Sequence, residues 1–188
     1  MNEQFVVPSL GNCRIQSPLP LSTSSQEDNF RFVEDSQRIL YQATFNDLNQ
    51  HELFGGDSPI SFEAAGPRAM TFFDPSKVRA GIVTCGGLCP GINNVIRALV
   101  MQMYHNYGVR RIYGFRYGFQ GFIPKYRHDI MELTPDSVVN IHHQGGSILS
   151  SSRGPQDIGE IVDCLDRHTI KILFCIGGDG TLRGAHAI

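Results

Sequence analysis

Arg79-Ala-Gly-Ile-Val-Thr84, then Cys85-Gly-Gly-Leu-Cys-Pro-Gly91, then Ile92-Asn-Asn-Val-Ile-Arg97 is the stretch on which the fold turns. A short apolar run that stops at paired glycines reads as a buried strand entering a tight loop. Downstream, Ile92, Val95, Ile96, Leu99, Val100, Met103, Tyr104 and Tyr107 recur every three or four residues, the stripe of an amphipathic helix. Pro90 is well placed near the first turn of that helix, where a missing N–H costs no bond, and Gly108 ends it.

The alternation continues along the chain. Arg111-Ile-Tyr-Gly-Phe115 is a second strand, and Tyr117-Gly-Phe-Gln-Gly121 a loop. Thr134 caps a helix that is expected to run to Gly145-Gly146. Asp157 to His168 is a third helix, with Ile158, Ile161, Val162 and Leu165 on its apolar face. Ile170 to Ile176 is a nearly unbroken apolar strand. It ends at Gly177-Gly-Asp-Gly-Thr181, and a further helix is expected from Leu182. Apolar strands alternating with helices predict the α/β class: an open parallel sheet, helices on both faces, right-handed crossovers.

Residues 1–77 read differently, as a less regular N-terminal extension, partly disordered. Ser17 to Asn29 is polar without a period and is expected to be mobile. Phe30 to Leu53 has room for a short helix, while Asp57-Ser-Pro and Gly66-Pro67-Arg68 signal turns. The regular portion is residues 78–188.

Composition narrows the function. Charged residues make up 18% of the 188 residues and the net charge is −2, so a broad nucleic-acid footprint is not expected. No apolar run approaches the ~18 residues of a membrane span, and Met1 to Leu10 lacks the pattern of a secretory signal. Five cysteines show no metal-type pairing, which predicts reduced thiols and a cytoplasmic location.

Two glycine loops follow strands, and in an open parallel sheet ligands bind beyond the carboxyl ends of the strands. Glycines admit the backbone to a polyphosphate. In Gly177-Gly-Asp-Gly-Thr181, Asp179 is placed to hold Mg2+ against phosphate oxygens, and Thr181 offers a hydroxyl. The plain alternative is a tight turn capped by Asp179. At Gly86-Gly87, N–H groups at the following helix N-terminus are expected to face the ligand; the alternative is an unliganded connection. Neither a Walker loop nor a Gly-x-Gly-x-x-Gly motif occurs. Gly146-Ser-Ile-Leu-Ser-Ser-Ser-Arg153-Gly154 brings an arginine that either meets a phosphoryl group or is solvated. His142 and His143 fit helix-end capping better than catalysis. Arg97, Arg110 and Arg111 suit solvated ends as well as an anion. Phe119 packs in the core or touches a base.

In this order, Ile82 to Arg97, Gly145 to Gly154 and Ile176 to Thr181 resemble the 6-phosphofructokinase family. The Cys-Gly-Gly-Leu-Cys-Pro-Gly form is similar to its ATP-dependent plant and protist branch, which is related to the pyrophosphate-dependent enzymes. Ala65-Gly-Pro-Arg68 and Phe72-Phe-Asp-Pro75 resemble that branch's lead-in. Gly-Gly-Asp-Gly-Thr alone also resembles NAD and lipid kinases, which lack a counterpart to Cys85–Arg97.

The resemblance implies a cytoplasmic, glycolytic phosphotransferase moving a phosphoryl group from ATP to fructose 6-phosphate. It implies a homo-oligomer, often a tetramer. Residues 78–188 would be the N-terminal ATP-binding portion of such a domain, truncated. Gly86, Gly87, Arg153, Gly154, Gly178, Asp179, Gly180 and Thr181 would contact ATP, with Arg153 following the transferred phosphoryl and Asp179 binding Mg2+. Glycine at 180, where pyrophosphate users carry Asp, implies ATP as donor. Arg97 matches an arginine of the bacterial effector site, but Met101 stands where the next would be. The family's catalytic-base motif and sugar-binding arginines are not in these 188 residues. Little activity alone is therefore expected, or a non-catalytic nucleotide-binding fragment. A coupled assay on this polypeptide should read far below the roughly 1–100 s−1 typical of kinases.

Overall fold

The computed structural model describes residues 7–21, 31–41 and 60–188. They divide into two compact units, Met1–Phe73 and Asp74–Ile188. In the first unit, β1 (Ile15–Gln16), β2 (Arg38–Leu40), β3 (Ser61–Glu63) and β4 (Met70–Thr71) form two antiparallel pairs, β1 with β4 and β2 with β3. Arg38–Leu40 is thus a strand within the Phe30 to Leu53 stretch that had room for a short helix. A short lone helix is marginal, whereas pairing with Ser61–Glu63 satisfies the backbone, and Arg38 adds a 2.7 Å bond to the Ser61 carbonyl. Ser17, expected to be mobile, is buried, and its N–H donates to Ala69 O at 2.8 Å. The rest of those two expectations, residues 22–30 and 42–53, lies outside the described residues, as does Asp57-Ser-Pro.

The second unit holds a four-stranded sheet of β5 (Arg79–Thr84), β6 (Arg111–Phe115), β7 (Ile130–Glu132) and β8 (Ile172–Ile176), in the order β7-β6-β5-β8. β5 is parallel to β6 and to β8. β7, which the sequence did not signal, adds an antiparallel edge beside β6. The α-helices are α1 (Ile92–Met101), α2 (Pro135–Val138), α3 (Ile158–Arg167) and α4 (Asp179–Ala187).

Ala80 to Thr84 of β5 are buried throughout, as befits a strand covered on both faces. Side chains alternate between faces. Val83 and Phe115 pack with Ile161 and Cys164 of α3, and Phe115 stacks on Phe122 with ring centroids 4.1 Å apart. On the other side Gly114 faces Leu133 and Leu149, both fully buried. The α1 stripe buries Ile92, Ile96 and Val100. It also buries Asn93, whose amide donates to Gln144 O at 3.1 Å and accepts from Ile148 N–H at 2.9 Å.

The elements differ from the expectations at their ends. Pro90 lies near the first turn of α1, one residue before its N-cap Gly91, which takes φ +91°. Past Met101 the helix widens to a π turn, Gln102–Asn106, before Gly108 at φ +72°. Thr134 caps α2 through a reciprocal box with Ser137, but α2 lasts one turn. A 3-10 turn, Ile141–His143, follows it. Arg97 Nε takes the Val139 carbonyl where the helix stops, and Asn93 takes that of Gln144 after the 3-10 turn. Tyr117–Gly121 is largely a 3-10 turn, Gly118–Phe122. In α3, Val162 is exposed and Cys164 is buried instead. α4 begins at Asp179, not Leu182, because the N–H groups of Thr181 and Leu182 both reach Gly178 O, at 2.9 and 3.1 Å.

Gly114 carries a prediction. A Cβ there runs into Leu149 and sits 3.2 Å from Leu133. Gly114→Ala should destabilise the unit by about 1–3 kcal/mol through overpacking. The check is a lower urea midpoint with an unchanged slope.

Candidate functional site

The strand order fixes where a ligand can sit. From β5 the chain crosses to β6 on one side and later returns to β8 on the other. The crevice at such a reversal, beyond the carboxyl ends of the strands, is the binding position of open α/β sheets. Thr84 and Ile176 end their strands in register, and the ladder continues one step further, from Cys85 N–H to Ile176 O at 2.9 Å. Gly86-Gly87 and Gly177-Gly178 are therefore neighbours.

Close packing at this edge explains its glycines. A Cβ on Gly177 would meet the Thr181 side chain and lie 2.7 Å from Cys85 O. Gly86 at φ +80° holds a left-handed conformation that side chains disfavour. Thr181 is buried, with its side chain against Gly177, so it pins the first turn of α4 beneath the loops. Gly178 and Gly180 have nothing within 4 Å of a Cβ position, so both leave open space above the helix N-terminus.

A chain of hydroxyls ties the third loop to the same edge. Thr84 Oγ1 lies 2.6 Å from Ser150 O and 2.8 Å from Ser147 Oγ. A threonine has one hydroxyl proton and a carbonyl only accepts, so Thr84 donates to Ser150 and Ser147 donates to Thr84. Leu149 N–H in turn donates to Ser147 Oγ at 3.2 Å. The relay holds Ser150 in its left-handed conformation, φ +57°. The next two residues grip Gly86: Ser151 Oγ donates to Gly86 O at 2.5 Å, and Gly86 N–H donates to Ser152 O at 3.0 Å. Arg153 follows, with Nη2 3.6 Å from where a Cβ on Gly87 would stand. Gly154, at φ +95°, is open.

Gly86, Gly87, Arg153, Gly154 and Gly178 to Thr181 thus line one cleft of about 630 Å3. Phe119, Ile158 and Ile161 line it too, and the Phe119 ring packs on Gly184. The cleft has an apolar wall and a glycine-rich, charged wall. Arg153 and Asp179 are exposed, and neither makes an ion pair among the described residues. Ionic groups without partners beside free backbone N–H suit a phosphorylated, anionic ligand.

Among the described residues Asp179 is the one carboxylate on the cleft wall. Among the described residues no three His, Cys, Asp or Glu side chains group to form a metal cage. One carboxylate beside phosphate oxygens and water is how Mg2+ is commonly held, so the donor set fits that ion and no all-protein site.

The other candidates stand apart. The N-terminus of α1 does not line the cleft; that of α4 does. His142 and His143 are exposed, with ring centroids 3.8 Å apart, outside the cleft. Slight desolvation and the charges of His143 and Arg97 lower the pKa of His142. Arg97 Nε donates to Val139 O at 3.3 Å, and Arg110 lies 4.0 Å over the Tyr104 ring. Arg111 is exposed on β6. Sequence reasoning missed Gln156, Ile158 and Arg183 as cleft residues. Placing the start of α4 at Leu182 hid Arg183, because its spacing from Asp179 matters only if both share one helix.

A family model described as Phosphofructokinase matches residues 79–188. An ATP-dependent 6-phosphofructokinase of Amycolatopsis methanolica is 49% identical over 176 residues, covering 94% of this chain and 38% of its own length. One from Trypanosoma cruzi is 42% identical over 186 residues, covering 88% and 38%. ATP-dependent 6-phosphofructokinase 2 of Arabidopsis thaliana is 39% identical over 180 residues, covering 95% and 39%. The chain therefore spans 38–39% of the length of these relatives. Among solved structures, Pichia pastoris phosphofructokinase in the T-state aligns with a TM-score of 0.52 at 24% identity, over 67% of this chain and 14% of that one. The Saccharomyces cerevisiae phosphofructokinase gives 0.51 at 24%, over 59% and 15%. Those two likenesses concern the fold.

Two measurements check this edge. Thr84→Val keeps the shape and strands the partners of a buried hydroxyl, so it should cost about 1–3 kcal/mol in urea unfolding. Burial, with Cys175 nearby, pushes the Cys85 thiol up to about 12. It stays neutral at pH 8, so a thiol reagent should label exposed Cys13 and Cys89 in the native protein and reach Cys85 only after denaturation.

Proposed function

The chain belongs to the phosphofructokinase family, and from that premise we propose that its cleft binds Mg·ATP and presents the terminal phosphoryl group for transfer to fructose 6-phosphate. The observation that carries the reading is the meeting of three separate loops at one sheet edge, where Gly154, Gly178 and Gly180 leave open space in the cleft.

Phosphoryl transfer depends on position and on stabilising negative charge. In this proposal the backbone N–H groups at the start of α4 and that of Gly87 donate to phosphate oxygens. Arg153 carries permanent charge to the transferred group through a planar fork. Asp179 holds Mg2+, whose charge offsets that of the phosphates when it is bound. Thr181, being buried, keeps Gly177 and Gly86 at their spacing. The wall of Phe119 and Ile158 is apolar and suits the base.

Donor choice follows from Gly180. The space beside it supports ATP over pyrophosphate, because a carboxylate there would project into the phosphate end of the cleft. The acceptor, a homo-oligomeric assembly and a cytoplasmic location are parts of the same proposal. Among the described residues no helix is long and apolar enough to cross a membrane.

Calorimetric titration with Mg·ATP tests the reading. Asp179→Asn should weaken Mg-dependent binding by about tenfold or more, the loss of one charge-assisted contact. Gly180→Asp should weaken ATP similarly at unchanged melting temperature, since its Cβ meets nothing within 4 Å. Wild-type affinity in both variants would sink the proposal.

A further inference from the structure

Arg183 has no place in the roles above, yet it lines the cleft. We infer that Arg183 is a second arginine that binds the polyphosphate of the nucleotide, from α4 rather than from the loops. The inference rests on the nucleotide reading just given.

Position on the helix is the first support. α4 runs from Asp179 to Ala187, so Arg183 stands four residues after Asp179 and three after Gly180, on their face. Side chains on a helix lean toward its N-terminus, over the preceding turn. Arg183 therefore leans toward the first turn of α4, where the free N–H groups are. Gly180 offers no side chain in its path and open space around it.

A missing interaction is the second support. Aspartate and arginine four apart on an exposed helix commonly pair. Asp179 and Arg183 are both exposed, yet among the described residues neither makes an ion pair or a side-chain hydrogen bond. Arg183 keeps its five donors for something else, and a guanidinium matches a phosphate's geometry. With Arg153, the cleft sets two guanidiniums against one carboxylate, which Mg2+ would offset further.

Its neighbours set which part of the ligand it meets. Gly184, the next residue, carries the Phe119 ring that begins the apolar wall. Arg183 thus lies between the phosphate cradle and the wall assigned to the base. It reads the phosphates nearer the ribose, while Arg153 follows the terminal one.

The test compares Mg·ATP with adenosine by calorimetry on the 188-residue chain, with Arg183→Ala and Arg183→Lys. Arg183→Ala should weaken Mg·ATP by about tenfold or more and leave adenosine within about twofold. Arg183→Lys should recover part of the loss, since it keeps the charge but not the fork. Melting temperature should hold, because the residue is exposed and alanine favours helix. Unchanged ATP affinity in Arg183→Ala overturns the inference, and so does an equal loss of ATP and adenosine. Should Arg183→Ala lower the melting temperature, Arg183→Lys decides: a partial loss of Mg·ATP affinity with adenosine unchanged supports a phosphate contact, and wild-type affinity for both overturns it. If Asp179→Asn and Gly180→Asp weaken ATP while Arg183→Ala does not, this inference fails and the nucleotide reading stands. If the unaltered chain binds neither ligand, both fall.

Discussion

Parallel pairing of β5 with β8 governs the cleft. It brings Thr84 and Ile176 level and is prolonged by the bond from Cys85 N–H to Ile176 O. Two glycine loops that are ninety-one residues apart in sequence become one surface through it. The close approach then dictates composition: at Gly177 the Cys85 carbonyl and Thr181 leave no room for a methyl group. Glycine at that position answers a packing demand first, and a bare backbone facing the cleft is the consequence.

The hydroxyl relay is the second constraint, subordinate to the first. Thr84 ends a strand that is buried on both faces, so its hydroxyl has to find partners within the protein. It finds Ser147 and Ser150, and the direction of the protons follows from chemistry alone. By holding Ser150 in a left-handed turn, the relay aims Ser151 and Ser152 at Gly86 and leaves Arg153 beside Gly87. A strand-end threonine thereby governs where an arginine sixty-nine residues later can reach. The serine run between them reads as a polar loop, but two of its hydroxyls are spent on structure.

Much of the fold was legible because its periodicities are strong. The bounds of β5 and β6 follow the apolar runs residue for residue, and α3 runs between its expected cap and His168. Element ends were less legible where a remote group competes for a carbonyl. Arg97, on α1, takes Val139 O at the point where the helix capped by Thr134 stops. Gly178 O collects two N–H groups and starts α4 early. Val162 and Cys164 exchange places in the stripe of α3, since which apolar residue faces the sheet depends on the helix's rotation against Val83 and Phe115.

By itself the sequence determined the α/β alternation, the three glycine-bearing loops and the chemical character of their residues. Local propensity, turn chemistry and motif spacing all act over short stretches of chain. Tertiary structure alone decided that the loops share one cleft, that α4 and not α1 presents its N-terminus there, and that Thr181 is a buried pin. It also decided that Arg183 faces the same space as Asp179 without pairing with it. These outcomes depend on strand order and on contacts between residues far apart in the chain, and no local pattern encodes either.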